Sequence, residues 1–147
     1  MSIRLLVLKE TVAGEMRVAM DPATVKKLTD QKVNVSIISE AGSHAGFPDR
    51  AYGDATVLAE AEATSDSPQI ICWVQIPDQA TIKRLPKGCV VIGQVFAQRH
   101  PEQVEALCEQ EISCLALELV PRITRAQSMD VLSSQATVAG YQAVLMA

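Results

Sequence analysis

The chemistry-bearing residues of this chain concentrate in one tail segment. Pro121 is followed closely by Arg122, Arg125, Gln127, Ser128 and Asp130. Two neighbouring guanidiniums suit a phosphate or a carboxylate, because each presents a planar fork of donors. The Gln127 carboxamide carries a donor and an acceptor, so it can pair with another carboxamide. Asp130 stands where a helix is expected to begin, and could cap it or hold an arginine in place. A capped helix with surface arginines has the same spacing, and residue types alone do not separate the two.

Other candidates are weaker. Lys9, Glu10, Glu15 and Arg17 crowd one connection, which reads best as a solvated charged loop. Residues 41–47 hold Gly42 and Gly46, and a glycine-rich turn after a strand can cradle a phosphate with its amides. The segment is not GxGxxG and no GK[ST] follows, so a backbone-driven turn is the favoured reading. Neither His44 nor His100 suggests a triad. Cys72, Cys89, Cys108 and Cys114 form no CxxC pair and lack histidine support, which argues against zinc and for buried reduced thiols.

The elements that must position these residues alternate regularly. Apolar, strand-sized runs are expected at 3–8, 33–38, 70–75, 89–95 and 113–119. Helices are expected between them at 22–31, 49–63, 78–85 and 101–109, and a last one from about Ser128. Asp21-Pro22 reads as a helix start and Ser65–Pro68 as a stop. The last helix carries Met129, Leu132, Ala136 and Ala139 at helical spacing. Its small residues four apart, Ala136–Gly140 and Ala139–Ala143, would let another helix approach closely. Strands separated by helices imply right-handed crossovers. The predicted fold is a single α/β domain with a mainly parallel sheet of about five strands and helices on both faces, Rossmann-like or flavodoxin-like. In such a sheet the loops at the carboxyl ends of strands form the ligand site, and 9–20, 39–48, 76–78, 96–100 and 120–127 are those loops.

Composition agrees with one soluble globular domain. The 147 residues are 48% hydrophobic and 20% charged, with a net charge of −4. That balance argues against a nucleic-acid binder. No apolar run approaches the roughly 18–20 residues that span a bilayer, and the start lacks the apolar core of a signal peptide, so a cytoplasmic place is the default.

The segment from Pro121 to Ala136, followed by Ala139-Gly140-Tyr141, resembles the NAD(H)-binding alpha component of proton-translocating NAD(P) transhydrogenases. Lys9-Glu10 and Gly14-Glu15-Met16-Arg17-Val18-Ala19, then Pro22, are similar to the opening shared by alanine dehydrogenases and transhydrogenase alpha subunits. Glu40-Ala41-Gly42, Ala45-Gly46-Phe47-Pro48-Asp49 and Tyr52 resemble the next shared block. The early blocks are those of the superfamily; the tail resembles the transhydrogenase branch. Alanine dehydrogenases carry a catalytic lysine where this chain has Gln75, and a histidine near Phe96, whereas His100 lies too late. Oxidising an amine needs a base, while hydride exchange between two nicotinamides needs alignment and exclusion of water.

The resemblance implies a component passing hydride from NADH to NADP⁺ held on a separate component, coupled by a membrane part to proton movement. It implies that Arg122, Gln127 and Asp130 form the loop at the redox site, with Gln127 orienting the dihydronicotinamide. Arg125, Ser128 and Ser133 are expected as further cofactor contacts. Residues 1–147 are expected to be the first domain alone, with NAD(H) bound at a site shared with a missing GxGxxG domain, and inactive in isolation. Expected partners are that domain, the NADP(H)-binding and membrane components, and a second copy in a homodimer. The location is then cytoplasmic and peripheral to the inner membrane. A non-catalytic assembly or regulatory module derived from the same subunit is the alternative.

Overall fold

The computed structural model describes residues 3–63 and 67–147. The opening Met1-Ser2 and the first part of the helix stop expected at Ser65–Pro68 lie outside the described residues. Six parallel strands form one sheet in the order β3-β2-β1-β4-β5-β6. They are β1 (Arg4–Val7), β2 (Asn34–Ile38), β3 (Thr56–Leu58), β4 (Ile70–Cys72), β5 (Val90–Gly93) and β6 (Ser113–Ala116). Strand β1 is central, pairing Leu5 with Val35 on one side and with Ile70 on the other. Strand order reverses between β1 and β4, and at such a point the loops diverge and leave a crevice at the carboxyl ends.

Among the described residues four α-helices occur: α1 (Pro22–Asp30), α2 (Gln79–Arg84) and α3 (Pro101–Glu109) connect β1–β2, β4–β5 and β5–β6, and α4 (Val131–Met146) is the tail. Their starts follow local chemistry. Asp21 accepts the Thr24 amide at 2.7 Å with Pro22 next, and Asp78 accepts the Thr81 amide at 2.7 Å. Each carboxylate satisfies an amide that the first helical turn leaves without a partner. Val25, Ile82, Ala106 and Leu107 point from the helices into a core with Leu6, Val7, Ile37, Ile71 and Val91. Full burial of such aliphatic side chains stabilises by about 1.5–3 kcal/mol each, and this core holds the sheet as one body.

Three expectations need correction. Residues 49–63 are not a helix. Asp49–Tyr52 and Glu60–Glu62 are short 3-10 turns, and Thr56–Leu58 between them is the sixth strand, which also raises the strand count from five. Gly53 and Asp54 interrupt any helical run, and the Ser39 amide donates to the Leu58 carbonyl at 2.8 Å to hold the new edge. A three-residue strand is too short to show its period.

The strands expected at 70–75, 89–95 and 113–119 also stop early. Beyond β4 and β5 the amides turn to carboxylates, as described below; beyond β6 the chain winds into a 3-10 turn at Leu117–Leu119. Finally, Cys72 and Cys89 are buried, but Cys108 and Cys114 are exposed. Cys108 lies on the outer side of α3 and Cys114 on the edge strand β6. Burial alone pushes the Cys72 thiol up to about 12, which leaves it inert at neutral pH.

Candidate functional site

The early loop and the tail meet at the carboxyl edge of the sheet. A cavity of about 310 Å³ opens there, walled by Arg17, Trp73, Gln94, Leu117, Val131 and Gln135 among others. Trp73 is a buried member of that wall. Its indole donates to the Gln94 carbonyl at 3.0 Å, and Gly93 is required beside it because a Cβ there would strike the ring. Of these lining residues, Arg17 lies in the charged loop singled out from the sequence, and Val131 and Gln135 fall within the tail segment without an expected role. Val131 and Gln135 lie one helical turn apart, a spacing that is visible only once the true start of α4 is known.

Two carboxylates staple this edge. The Val74 and Gln75 amides donate to Glu10 at 2.7 and 3.1 Å. The Val95 and Phe96 amides donate to Glu118 at 3.1 and 2.7 Å. Each carboxylate satisfies two consecutive N–H groups that have left the ladder, and the Glu118 pair includes Phe96, whose φ is 45°. Burial raises the Glu10 pKa above its ordinary value, against the opposing pull of its two amide donors.

Glu15 and Arg17 form the second polar unit, so the expectation of a solvated charged loop is overturned. Arg17 Nε and Nη2 donate to the two Glu15 oxygens at 2.7 and 2.6 Å, a bidentate pair. Gln75 Nε2 donates to the same carboxylate at 2.6 Å, and Arg17 Nη1 donates to Gln135 Oε1 at 3.1 Å. The Glu15 side chain is only 5% exposed. The Arg17 hydrogen bond, aided by Gln75, holds its pKa down at about 2. Residues from three separate parts of the chain build this unit, which local spacing could not reveal.

The tail residues are split by the fold. Thr124–Met129 is an exposed 3-10 turn anchored by buried Ala126. Arg122, Arg125, Gln127 and Ser128 are exposed, and their side chains make no hydrogen bond among the described residues. Asp130 is buried and caps α4, so the helix starts at Val131 rather than near Ser128. It accepts the Leu132 and Ser133 amides at 3.0 and 3.1 Å and the Ser133 hydroxyl at 2.6 Å. These bonds, the Ser133 hydroxyl first and the nearby Arg122 charge last, lower its pKa. Of the two alternatives for Asp130, the structure shows the cap; no hydrogen bond or ion pair joins it to an arginine among the described residues. Ser133 spends its hydroxyl on the cap.

The glycine-rich segment is a backbone turn. Gly42 has no room for a Cβ, which would lie 2.5 Å from the Tyr52 hydroxyl and 2.6 Å from the Phe47 carbonyl. Tyr52 donates to the Met20 carbonyl at 3.0 Å, and Asp49 accepts the Ser39 hydroxyl and the Glu40 amide at 2.8 and 2.7 Å. The early shared block is thus a device for folding the loop after β2. Among the described residues no group of His, Cys, Asp and Glu could hold a metal ion, and no helix is long and apolar enough to cross a membrane.

A parallel sheet in the order β3-β2-β1-β4-β5-β6, with a cavity and an Arg–Glu unit at its carboxyl edge and a capped tail helix, defines a Rossmann-like α/β domain. The chain belongs to the alanine dehydrogenase/PNT N-terminal domain family, whose model matches residues 6–139. It is similar to the NAD(P) transhydrogenase subunit alpha of Cereibacter sphaeroides, 38% identical over 95% of this chain and 27% of that subunit. The crystal structure of transhydrogenase from Sinorhizobium meliloti superposes with a TM-score of 0.92 at 38% identity, covering 98% of this chain and 43% of that one. A solved L-alanine dehydrogenase superposes less well, with a TM-score of 0.73 at 26% identity over 80% of this chain and 33% of that one. The chain therefore spans well under half the length of these relatives, and it stands nearer the transhydrogenase alpha subunits than the alanine dehydrogenase.

Proposed function

We propose that this chain supplies the nicotinamide-facing wall of the NAD(H) site in an NAD(P) transhydrogenase alpha component. The observation that carries the reading is the exposed turn with Arg122, Arg125, Gln127 and Ser128, whose side chains make no hydrogen bond among the described residues, leading into the helix whose Val131 and Gln135 line the cavity. Exposed donors and acceptors that no protein group engages are open to a ligand that supplies their complements. Gln127 is suited to pair with a carboxamide, Arg122 and Arg125 to lie along anionic or polar parts of the cofactor, and Ser128 to contribute a hydroxyl. Asp130 and Ser133 hold the base of the turn through the helix cap. A bound dinucleotide supplies the hydride chemistry; the residues of this chain orient the ring and exclude water.

A base poised to take a substrate proton does not fit this site. The carboxamide of Gln75 stands beside Glu15, and Glu15 is committed to Arg17. This supports hydride exchange between nucleotides over amine oxidation. The uncharged, exposed helix α4 supports docking of a second, GxGxxG-bearing domain, with the remaining NAD(H) contacts on that domain and weak NADH binding by this chain alone. The NADP(H)-binding and membrane components, homodimer formation and attachment to the inner membrane belong to the same proposal.

The test is an NMR amide titration of the chain with NADH to millimolar concentration. Shifts are expected in residues 122–135 and at Trp73, lost in Gln127→Ala. Shifts confined elsewhere, or identical titrations for the two proteins, overturn the assignment.

A further inference from the structure

Helix α4 is held by little burial. Its 16 residues carry no charge, none is buried, and Val138, Tyr141, Val144, Leu145 and Met146 are all largely exposed. Asp130 fixes the first turn but bonds only to its own neighbours, so the cap does not set the direction of the helix. Val131 and Gln135 are the α4 residues that face the cavity. Among the described residues, one side-chain hydrogen bond joins α4 to the sheet body, from Arg17 Nη1 to Gln135 Oε1 at 3.1 Å.

Arg17 is aimed before it reaches the helix. Its Nε and Nη2 are committed to Glu15, and Gln75 holds Glu15 from the end of β4. The Gln75 amide is in turn stapled by Glu10. A guanidinium is planar and its donors have fixed directions, so fixing two of its nitrogens fixes the third. Pairing with Glu15 also balances the Arg17 charge, leaving it a poor anchor for a further anion. We propose that Arg17 is a positioning residue: through Gln135 it sets the angle of α4 and thereby the place of the 122–130 turn over the cavity. The purpose assigned to this link rests on the reading of that turn as the nicotinamide wall.

Amide hydrogen exchange on the chain tests the link without any cofactor. Gln135→Ala removes the acceptor at an exposed position and raises intrinsic helix propensity, so propensity alone would slow exchange. Loss of the link is expected to speed exchange about fivefold in residues 134–138 and in the 124–129 turn, with β1, β4 and β5 unchanged. Gln135→Glu keeps the acceptor and is expected to restore wild-type or slower rates. Arg17→Ala, which also removes the Glu15 pair, should speed exchange there at least as much as Gln135→Ala, and the double variant should not exceed Arg17→Ala, because the link to Gln135 is already lost in each single variant.

Exchange that is unchanged or slower in Gln135→Ala, or effects that multiply in the double variant, overturn the proposal. Should Arg17→Ala fail to fold, the contrast between Gln135→Ala and Gln135→Glu still decides. An NADH titration that leaves the turn unperturbed while exchange follows this pattern removes the nicotinamide reading and keeps the link.

Discussion

Replacing Glu15 by glutamine should make the protein less stable, and less so in acid. In the folded chain the Glu15 pKa falls from an ordinary 4.5 to about 2, with the Arg17 hydrogen bond as the leading cause. A carboxylate with a lowered folded pKa stabilises fully above its unfolded value, and that stability is lost as pH falls through the folded value. By linkage the shift corresponds to about 3 kcal/mol at neutral pH. Arg17 is 41% exposed, so solvent screening reduces this to about 2 kcal/mol. Glu10 works in the opposite sense, since its raised pKa costs stability at neutral pH and the cost is relieved in acid. That contribution is common to both proteins and largely cancels on subtraction. Urea unfolding of wild type and Glu15→Gln should therefore differ by about 2 kcal/mol at pH 7, shrinking to about two-fifths of that by pH 3. A gap of the same size at both pH values would refute the assignment of the shift to the Arg17 pair.

Two further outcomes follow from packing. Gly93→Ala would drive a Cβ into the Trp73 indole and is expected to cost about 2–3 kcal/mol, lowering the thermal midpoint with a shift in tryptophan emission; an unchanged melt would show that the ring can move aside. A thiol reagent should label Cys108 and Cys114 in the native chain and reach Cys72 and Cys89 only after denaturation, with a third native thiol as the contrary result.

Features governed by near neighbours were legible in the sequence. The starts of α1, α2 and α3 follow from Asp21-Pro22, Asp78 and Pro101, since capping acts within one turn. The crossover pattern and the parallel sheet followed from alternation of apolar runs with helices. Strand β3 was hidden because three residues carry no readable period. The ends of β4 and β5 were hidden because they depend on Glu10 and Glu118, which reach them across 64 and 23 residues of sequence. The same distance hid the Glu15–Arg17 unit, which is a solvated loop until Gln75 and Gln135 are brought to it. The tail was recognisable as a segment, and its exposed turn and buried cap separate roles that residue types had left merged.

The two carboxylate staples have a consequence for how any nucleotide can lie on this surface. In many parallel sheets the amides at the strand ends attract phosphate. Here those of Val74, Gln75, Val95 and Phe96 are already answered by Glu10 and Glu118. A diphosphate laid across these ends would meet like charge and find the donors spent. A nucleotide bound at the ends of β4 and β5 would therefore have to lay its uncharged part there and turn its phosphates outward, a polarity of approach imposed by Glu10 and Glu118.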